Sequence, residues 1–177
     1  MRFEVTHTFE HPLEAVEAAL LDPSVSRTLG ERMTTIRAVE PVDINEPVDI
    51  NEDGDTVRRR MHYAPEPLIK RIGPKKVDPR WMEWTEESTY DLRAHRMEFK
   101  NVPCVQRVAS LLSNSGTLTL SAEGEGRTRR VVRGELRVKV PILGRIAERV
   151  IHKQALGILA EEALVLARVL SERAADA

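Results

Sequence analysis

The chain holds one cysteine, Cys104, so no intramolecular bridge can form and nothing demands an oxidising compartment. Lying beside Pro103, it reads as a packed or idle thiol rather than a nucleophile. Aromatic residues make up only 4% of the sequence, so a core must be built mainly from aliphatic side chains. No apolar run approaches the roughly 20 residues of a membrane-spanning helix. The amino-terminal Met1-Arg2-Phe3-Glu4-Val5 alternates instead of forming the apolar centre of a signal peptide. The expectation is a soluble, cytoplasmic protein. Neither sign of charge is in excess, with 27 Lys and Arg against 28 Asp and Glu. That balance argues against wholesale nucleic-acid binding and leaves local patches open.

Catalytic signatures are also missing. There is no HExxH, no paired Cys-x-x-Cys, no G-x-S-x-G and no phosphate-cradling glycine loop. The histidines, His7, His11, His62, His95 and His152, are scattered, so no metal ligand set is visible. The sequence therefore predicts no catalytic residues, no metal and no cofactor. Its 177 residues fit one domain, 1–177, able to bury about two thirds of its unfolded surface.

What is present is organised around the carboxy-terminal stretch, Ile142 to about Glu172. Apolar residues recur there in steps of three and four, from Ile146, Ala147, Val150 and Ile151 to Leu166, Ala167 and Leu170. That spacing makes a continuous helical stripe. About thirty residues at 1.5 Å each give a rod of roughly 45 Å, which needs a broad partner surface. The rest of the chain supplies short strands. Phe3, Val5, His7 and Phe9 alternate with polar residues as a first strand. Two short helices follow, Leu13 to Leu21 and a second from a Ser24 cap to Gly30, broken apart at Asp22-Pro23.

Met33 to Val42 reads as a second strand, running into a tandem hexapeptide, Pro41-Val-Asp-Ile-Asn-Glu repeated from Pro47. One such repeat is too short for a solenoid and reads as an extended loop or lengthened hairpin. Asp49, Asn51, Asp53 and Asp55 resemble the start of an EF-hand calcium loop, but Arg60 stands where the bidentate Glu is needed. Turn chemistry at Asp53-Gly54 explains the segment better. Further strands are expected at Thr56–Ala64, around Met82 to Tyr90, and around Met97 to Asn101. A connection at 102–115 leads to a hairpin of Gly116–Glu123 and Thr128–Val140. With no βαβ alternation, a parallel sheet is not expected. The predicted fold class is α+β: a curved antiparallel sheet gripping a long carboxy-terminal helix, with two short helices after the first strand.

Gly116-Thr-Leu-Thr-Leu120, Gly126-Arg-Thr128, and Val138-Lys-Val-Pro-Ile-Leu-Gly144 followed by Glu148 carry a resemblance. With this order of elements, the chain resembles the START-like, helix-grip (SRPBCC) superfamily, and more closely an uncharacterised bacterial branch of it. The duplicated hexapeptide departs from that pattern. The resemblance implies an apolar ligand held between helix and sheet.

The residues themselves add modest support. Ala147, Ala155, Gly157, Ala160, Ala163 and Ala167 on the helix, with Gly134 and Ala122 on the sheet, either allow close approach or leave unfilled space. Gly157 marks a bend over a ligand or nothing more. The inward sides of strands and helix put Met61, Trp84, Phe99, Leu118, Leu136, Val138, Ile151 and Leu159 around the ligand. His7, Arg59, Glu86, Ser88 and Asn101 share the inward sides. Arg59 and Glu86, on adjoining strands, either neutralise each other or meet a polar head group. His7 reads as a hydrogen-bonded core histidine. Residues 66–80 interleave Leu68, Ile69 and Ile72 with Lys70, Arg71, Lys75 and Lys76, which suits transient contact with an anionic membrane or an ordinary solvated loop. The preferred reading is non-enzymatic binding or transport of a hydrophobic, lipid-like molecule. The alternatives are a cyclase- or hydrolase-like enzyme using Arg59, Glu86 or His7, and an interaction module with a filled core.

Overall fold

The computed structural model describes residues 1–42, 49–50, 55–67, 71–72, 74–76, 78–139 and 144–176, without the side chains of 49, 50, 71, 72 and 75. Alternation makes β1 (Arg2–Phe9), with Phe3, Val5, His7 and Phe9 turned inward. After it come α1 (Leu13–Leu21), α2 (Pro23–Arg32), β2 (Ile36–Pro41) and the two-residue β3 (Asp49–Ile50). Next are β4 (Thr56–Pro65), a small hairpin of β5 (Arg71–Ile72) and β6 (Lys75–Lys76), and a 3-10 turn at Pro79–Met82. β7 (Trp84–Asp91), β8 (Arg96–Pro103), α3 (Gln106–Ala109), β9 (Leu112–Ala122), β10 (Thr128–Val138) and α4 (Gly144–Ala175) complete the chain. Seven strands form one curled antiparallel sheet in the order β1-β10-β9-β8-β7-β4-β2, with β3 added beside β4. The long helix lies in the grip of this half-barrel, which is the α+β arrangement expected from the two amphipathic patterns.

Several boundaries differ from expectation for identifiable reasons. Asp22, not Ser24, caps α2, its carboxylate accepting from the Ser24 backbone N–H, and Pro23 occupies the first turn. The helix continues past Gly30 to Arg32, so β2 begins at Ile36 rather than Met33. The 102–115 connection is shorter than expected: β8 runs to Pro103 and β9 begins at Leu112, with α3 between them. Residues 66–80 contain the β5–β6 hairpin and part of the 3-10 turn rather than loop alone. Most of the duplicated hexapeptide and of the Asp-rich segment after it, and residues 140–143, lie outside the described residues.

The apolar stripe of α4 is not buried along its whole length. Ala163, Val165, Leu166, Val169 and Leu170 are buried against α1, α2 and the sheet, whereas Ile146 and Val150 are 60% and 39% exposed. Polar contacts add to that burial in the carboxy-terminal half. Arg173 bonds Asp22 at 2.7 Å and Arg32 reaches Glu172 at 2.7 Å. Glu161 accepts from the backbone N–H groups of Thr34 at 2.7 Å and Thr35 at 2.9 Å, and from both their hydroxyls. These bonds satisfy the chain where it passes from α2 into β2. Gly157 lies on the exposed side with open space around it, so it bends over nothing and carries the ordinary helix cost of about 1 kcal/mol.

Burial pushes the Glu161 carboxyl up, but the Thr34 and Thr35 bonds outweigh it and hold it at about 2. The depressed value means that its stabilisation is complete above the ordinary carboxylate range and is lost as pH falls towards 2. Glu161→Gln is therefore expected to lower unfolding free energy by about 1.5–3 kcal/mol at pH 7, the range for hydrogen bonds to charged groups. In urea titrations the gap between the two proteins should close as pH drops from 4.5 to 2; a gap independent of pH would remove the carboxylate from this role.

Candidate functional site

A cavity of about 380 Å³ lies between the sheet and the amino-terminal and middle part of α4. Leu20, Leu29 and Met33 close one end. Trp81, 45% exposed, and Val150, 39% exposed, line the same space, so the other end opens to solvent. Strand register explains the wall, because antiparallel partners stand side by side on one face. One row, Arg59, Ser88, Phe99, Gly116, Gly134 and Phe3, crosses six strands. A Cβ on Gly134 would sit 2.3 Å from the Phe3 ring, and one on Gly116 would sit 2.7 Å from the Phe99 ring. The two phenyl rings therefore fold over the glycine pair and make an aromatic floor. Gly134 is small to receive Phe3, not to leave a void, and Ala122 is exposed at the strand end.

The next row is Met61, Glu86, Asn101, Asn114 and Leu136. Its three central residues put polar groups in an otherwise apolar wall. Arg59 stands beside them with most of its donors committed: Nη1 to Leu20 O at the end of α1 (2.7 Å), Nε to Ser88 Oγ (3.2 Å) and Nη2 to Met97 Sδ (3.6 Å). The Arg59 Nη2–Glu86 Oε1 distance is 3.6 Å, an ion pair without hydrogen-bond alignment. Burial accordingly pushes the Glu86 carboxyl up, Arg59 and the Ser88 hydroxyl opposing, while Glu162 across the cavity adds to the rise. Tyr63 stacks on Trp84 at 5.2 Å beside this group, both lining the cavity.

A second charged cluster anchors α4 behind the wall. Arg130 is fully buried, with Nη1 3.3 Å from Glu162 Oε2 and Nη2 3.2 Å from His7 Nδ1. Its guanidinium also lies 5.5 Å from the Phe9 ring centre. Burial, then the neighbouring Arg130, lower the His7 pKa, with Glu162 opposing. The imidazole is thus held neutral as an acceptor, a core role.

Of the residues expected around a ligand, Arg59, Trp84, Glu86, Phe99, Leu118, Leu136, Ile151 and Leu159 line the cavity. Met61 is buried and Val138 half-buried, and neither lines it. The docking segment falls largely outside the described residues: Leu68, Ile69 and Lys70 entirely, and the side chains of Arg71, Ile72 and Lys75. Lys76 is exposed. Sequence reasoning missed Asn114, Glu162 and Arg130. Asn114 was hidden because β9 begins four residues earlier than expected, although it alternates in phase with Gly116, Leu118 and Leu120. Glu162 sits one turn from Ile158 and Leu166, a spacing that betrayed its inward side. Among the described residues no cluster of three His, Cys, Asp or Glu is placed to hold a metal. No helix there is long and apolar enough to cross a membrane.

A family model described as Protein of unknown function (DUF2505) matches residues 4–170. No curated protein matches the sequence. Among solved structures, a protein of Thermus thermophilus is similar at 18% identity and TM-score 0.68, covering 98% of this chain and 99% of its own. The Zhui aromatase/cyclase of Streptomyces sp. R1128 is 13% identical at TM-score 0.62, with 98% and 95% covered. Norcoclaurine synthase of Thalictrum flavum is 12% identical at TM-score 0.65, with 97% and 87% covered. At these identities the likeness is one of fold, the helix-grip architecture.

A carboxyl with a raised pKa binds its proton more tightly in the folded state than in the unfolded one. Stability therefore falls as pH rises from the ordinary value of 4.5 through the raised one, then levels off. Glu86→Gln is expected to flatten that part of the urea-midpoint profile. An unchanged slope would show that Glu86 titrates normally.

Proposed function

Because the chain belongs to the family described as Protein of unknown function (DUF2505), whose description names no activity, we propose a function from the cavity. The protein binds or carries a hydrophobic, lipid-like small molecule between α4 and the sheet, without chemistry, as one domain in the cytoplasm. The observation that carries this reading is an apolar cavity left open beneath a helix whose other half is firmly packed. Its size falls at the lower end of the roughly 300–1,000 Å³ range of ligand pockets. Affinity would come mainly from apolar burial, at about 25 cal/mol per Å² before ordering costs. The exposed apolar rim at Trp81 and Val150, together with the basic composition of residues 70–76, supports transient contact with an anionic membrane during loading.

Ala155 lines the cavity from α4, where a larger side chain would occupy ligand space. With N-phenyl-1-naphthylamine as a fluorescent reporter, Ala155→Trp is expected to weaken binding at least tenfold, about 1.4 kcal/mol, with the far-ultraviolet spectrum unchanged. Equal binding by the folded variant would sink the cavity reading.

One observation favours a second, enzymatic reading: Glu86 combines a raised pKa with a place on the cavity wall, the combination sought in a general base. The aromatase/cyclase and the norcoclaurine synthase share the fold and support the same direction. Elimination of 5-nitrobenzisoxazole, a general-base probe, separates the two. A carrier leaves its rate at the level of free acetate, whereas an enzymatic Glu86 raises it and Glu86→Gln abolishes the gain.

A further inference from the structure

The row Glu86, Asn101, Asn114 gives the cavity a chemical preference that its volume does not. The three residues are register partners on β7, β8 and β9, so they repeat at the strand spacing of roughly 4.8 Å. All three line the cavity. Glu86 Oε1, Asn101 Oδ1 and Asn114 Oδ1 are buried, and none has a hydrogen-bond partner among the described residues. A buried polar atom left unpaired costs about 1–3 kcal/mol, and folded proteins seldom leave three side by side. Met61 and Leu136 flank the row, and Phe99 and the glycine pair lie beside the asparagines. Glu86 has Arg59 Nη2 3.6 Å from its Oε1, an ion pair without a hydrogen bond, so each of the three oxygens still lacks a donor.

Charge narrows the class of head group further. Arg59, the cation on this wall, already serves Leu20, Ser88 and Met97. Glu162 faces the same space from α4. Gln154 directs its amide to Glu66 O at 3.3 Å. An anionic head would meet the carboxyl groups of Glu86 and Glu162, with Glu83 also on the lining, and, among the described residues that line the cavity, no uncommitted cation. Attraction to a carboxylate or phosphate is therefore not supplied there.

We propose that this row recognises a neutral head carrying two or more hydroxyl groups, alcoholic or phenolic, set about one strand spacing apart on an otherwise apolar molecule. Each hydroxyl donates to one orphaned oxygen, and the asparagine amides donate back to the hydroxyl oxygens. The proposal rests on the cavity-binding reading above and adds the head-group chemistry to it.

The test is displacement of N-phenyl-1-naphthylamine from the intact protein at pH 7.5 by three matched molecules: 5-pentylresorcinol, pentylbenzene and 4-pentylbenzoate. 5-Pentylresorcinol is expected to bind at least tenfold more tightly than pentylbenzene, with 4-pentylbenzoate the weakest. In Asn101→Leu/Asn114→Leu the advantage of the resorcinol should vanish while pentylbenzene still binds. If that variant does not fold, the ranking on the unaltered protein decides. A resorcinol no better than pentylbenzene, a tightest-binding benzoate, or an advantage kept by the folded double variant would overturn the polar row and leave the cavity reading intact. Failure of the reporter and all three molecules to bind would overturn both.

Discussion

The structure depends on burying the carboxy-terminal half of a long helix more deeply than the rest. Ion pairs from Arg173 and Glu172 to Asp22 and Arg32, and the Glu161 carboxylate across Thr34 and Thr35, fasten the carboxy-terminal half of α4 to the α1–α2 corner. Arg130, reaching Glu162 from β10, fastens its middle. The Arg32–Glu172 and Arg173–Asp22 pairs are solvent-exposed and add little by themselves, so the burial of Leu166, Val169 and Leu170 supplies most of the hold. Beyond them the helix carries small side chains such as Ala155 over the sheet without filling the space below. Deep burial of one half and an open space beneath the other are two consequences of one arrangement.

The sheet contributes by stacking residues into rows. Antiparallel register turns single residues on separate strands into continuous bands: an aromatic and glycine floor, then a polar band of Glu86, Asn101 and Asn114. The floor is apolar, and the band supplies the buried polar oxygens. Arg59 links the wall to the helix corner by capping Leu20 O at the end of α1, so the polar band and the clamped end share one residue. This explains how an inward-facing arginine persists: its donors are spent on structure rather than left for a ligand.

Solved structures of the same architecture include enzymes and a protein whose name states no activity, at identities of 12–18%. A shared grip of helix by sheet therefore leaves function to the side chains that line it. In this chain the described side chains around the cavity supply much apolar surface, one carboxyl of raised pKa and three amides, with no hydrogen-bonded nucleophile–base pair among them.

Alternation and helical spacing in the sequence determined the fold class: period-two strands, one helix with a long apolar stripe, and no βαβ repeat. They also determined the inward sides of Arg59, Trp84, Glu86 and Phe99, because side-chain direction in a strand follows from counting residues. Tertiary structure decided which part of the α4 stripe is buried, since burial depends on clamps between residues more than a hundred positions apart, such as Glu161 with Thr34. It decided that Gly134 accommodates Phe3, a contact across strands from opposite ends of the chain. It also decided that Asn114 joins Glu86 and Asn101, because register is a property of strand pairing, which the composition of a single strand does not contain.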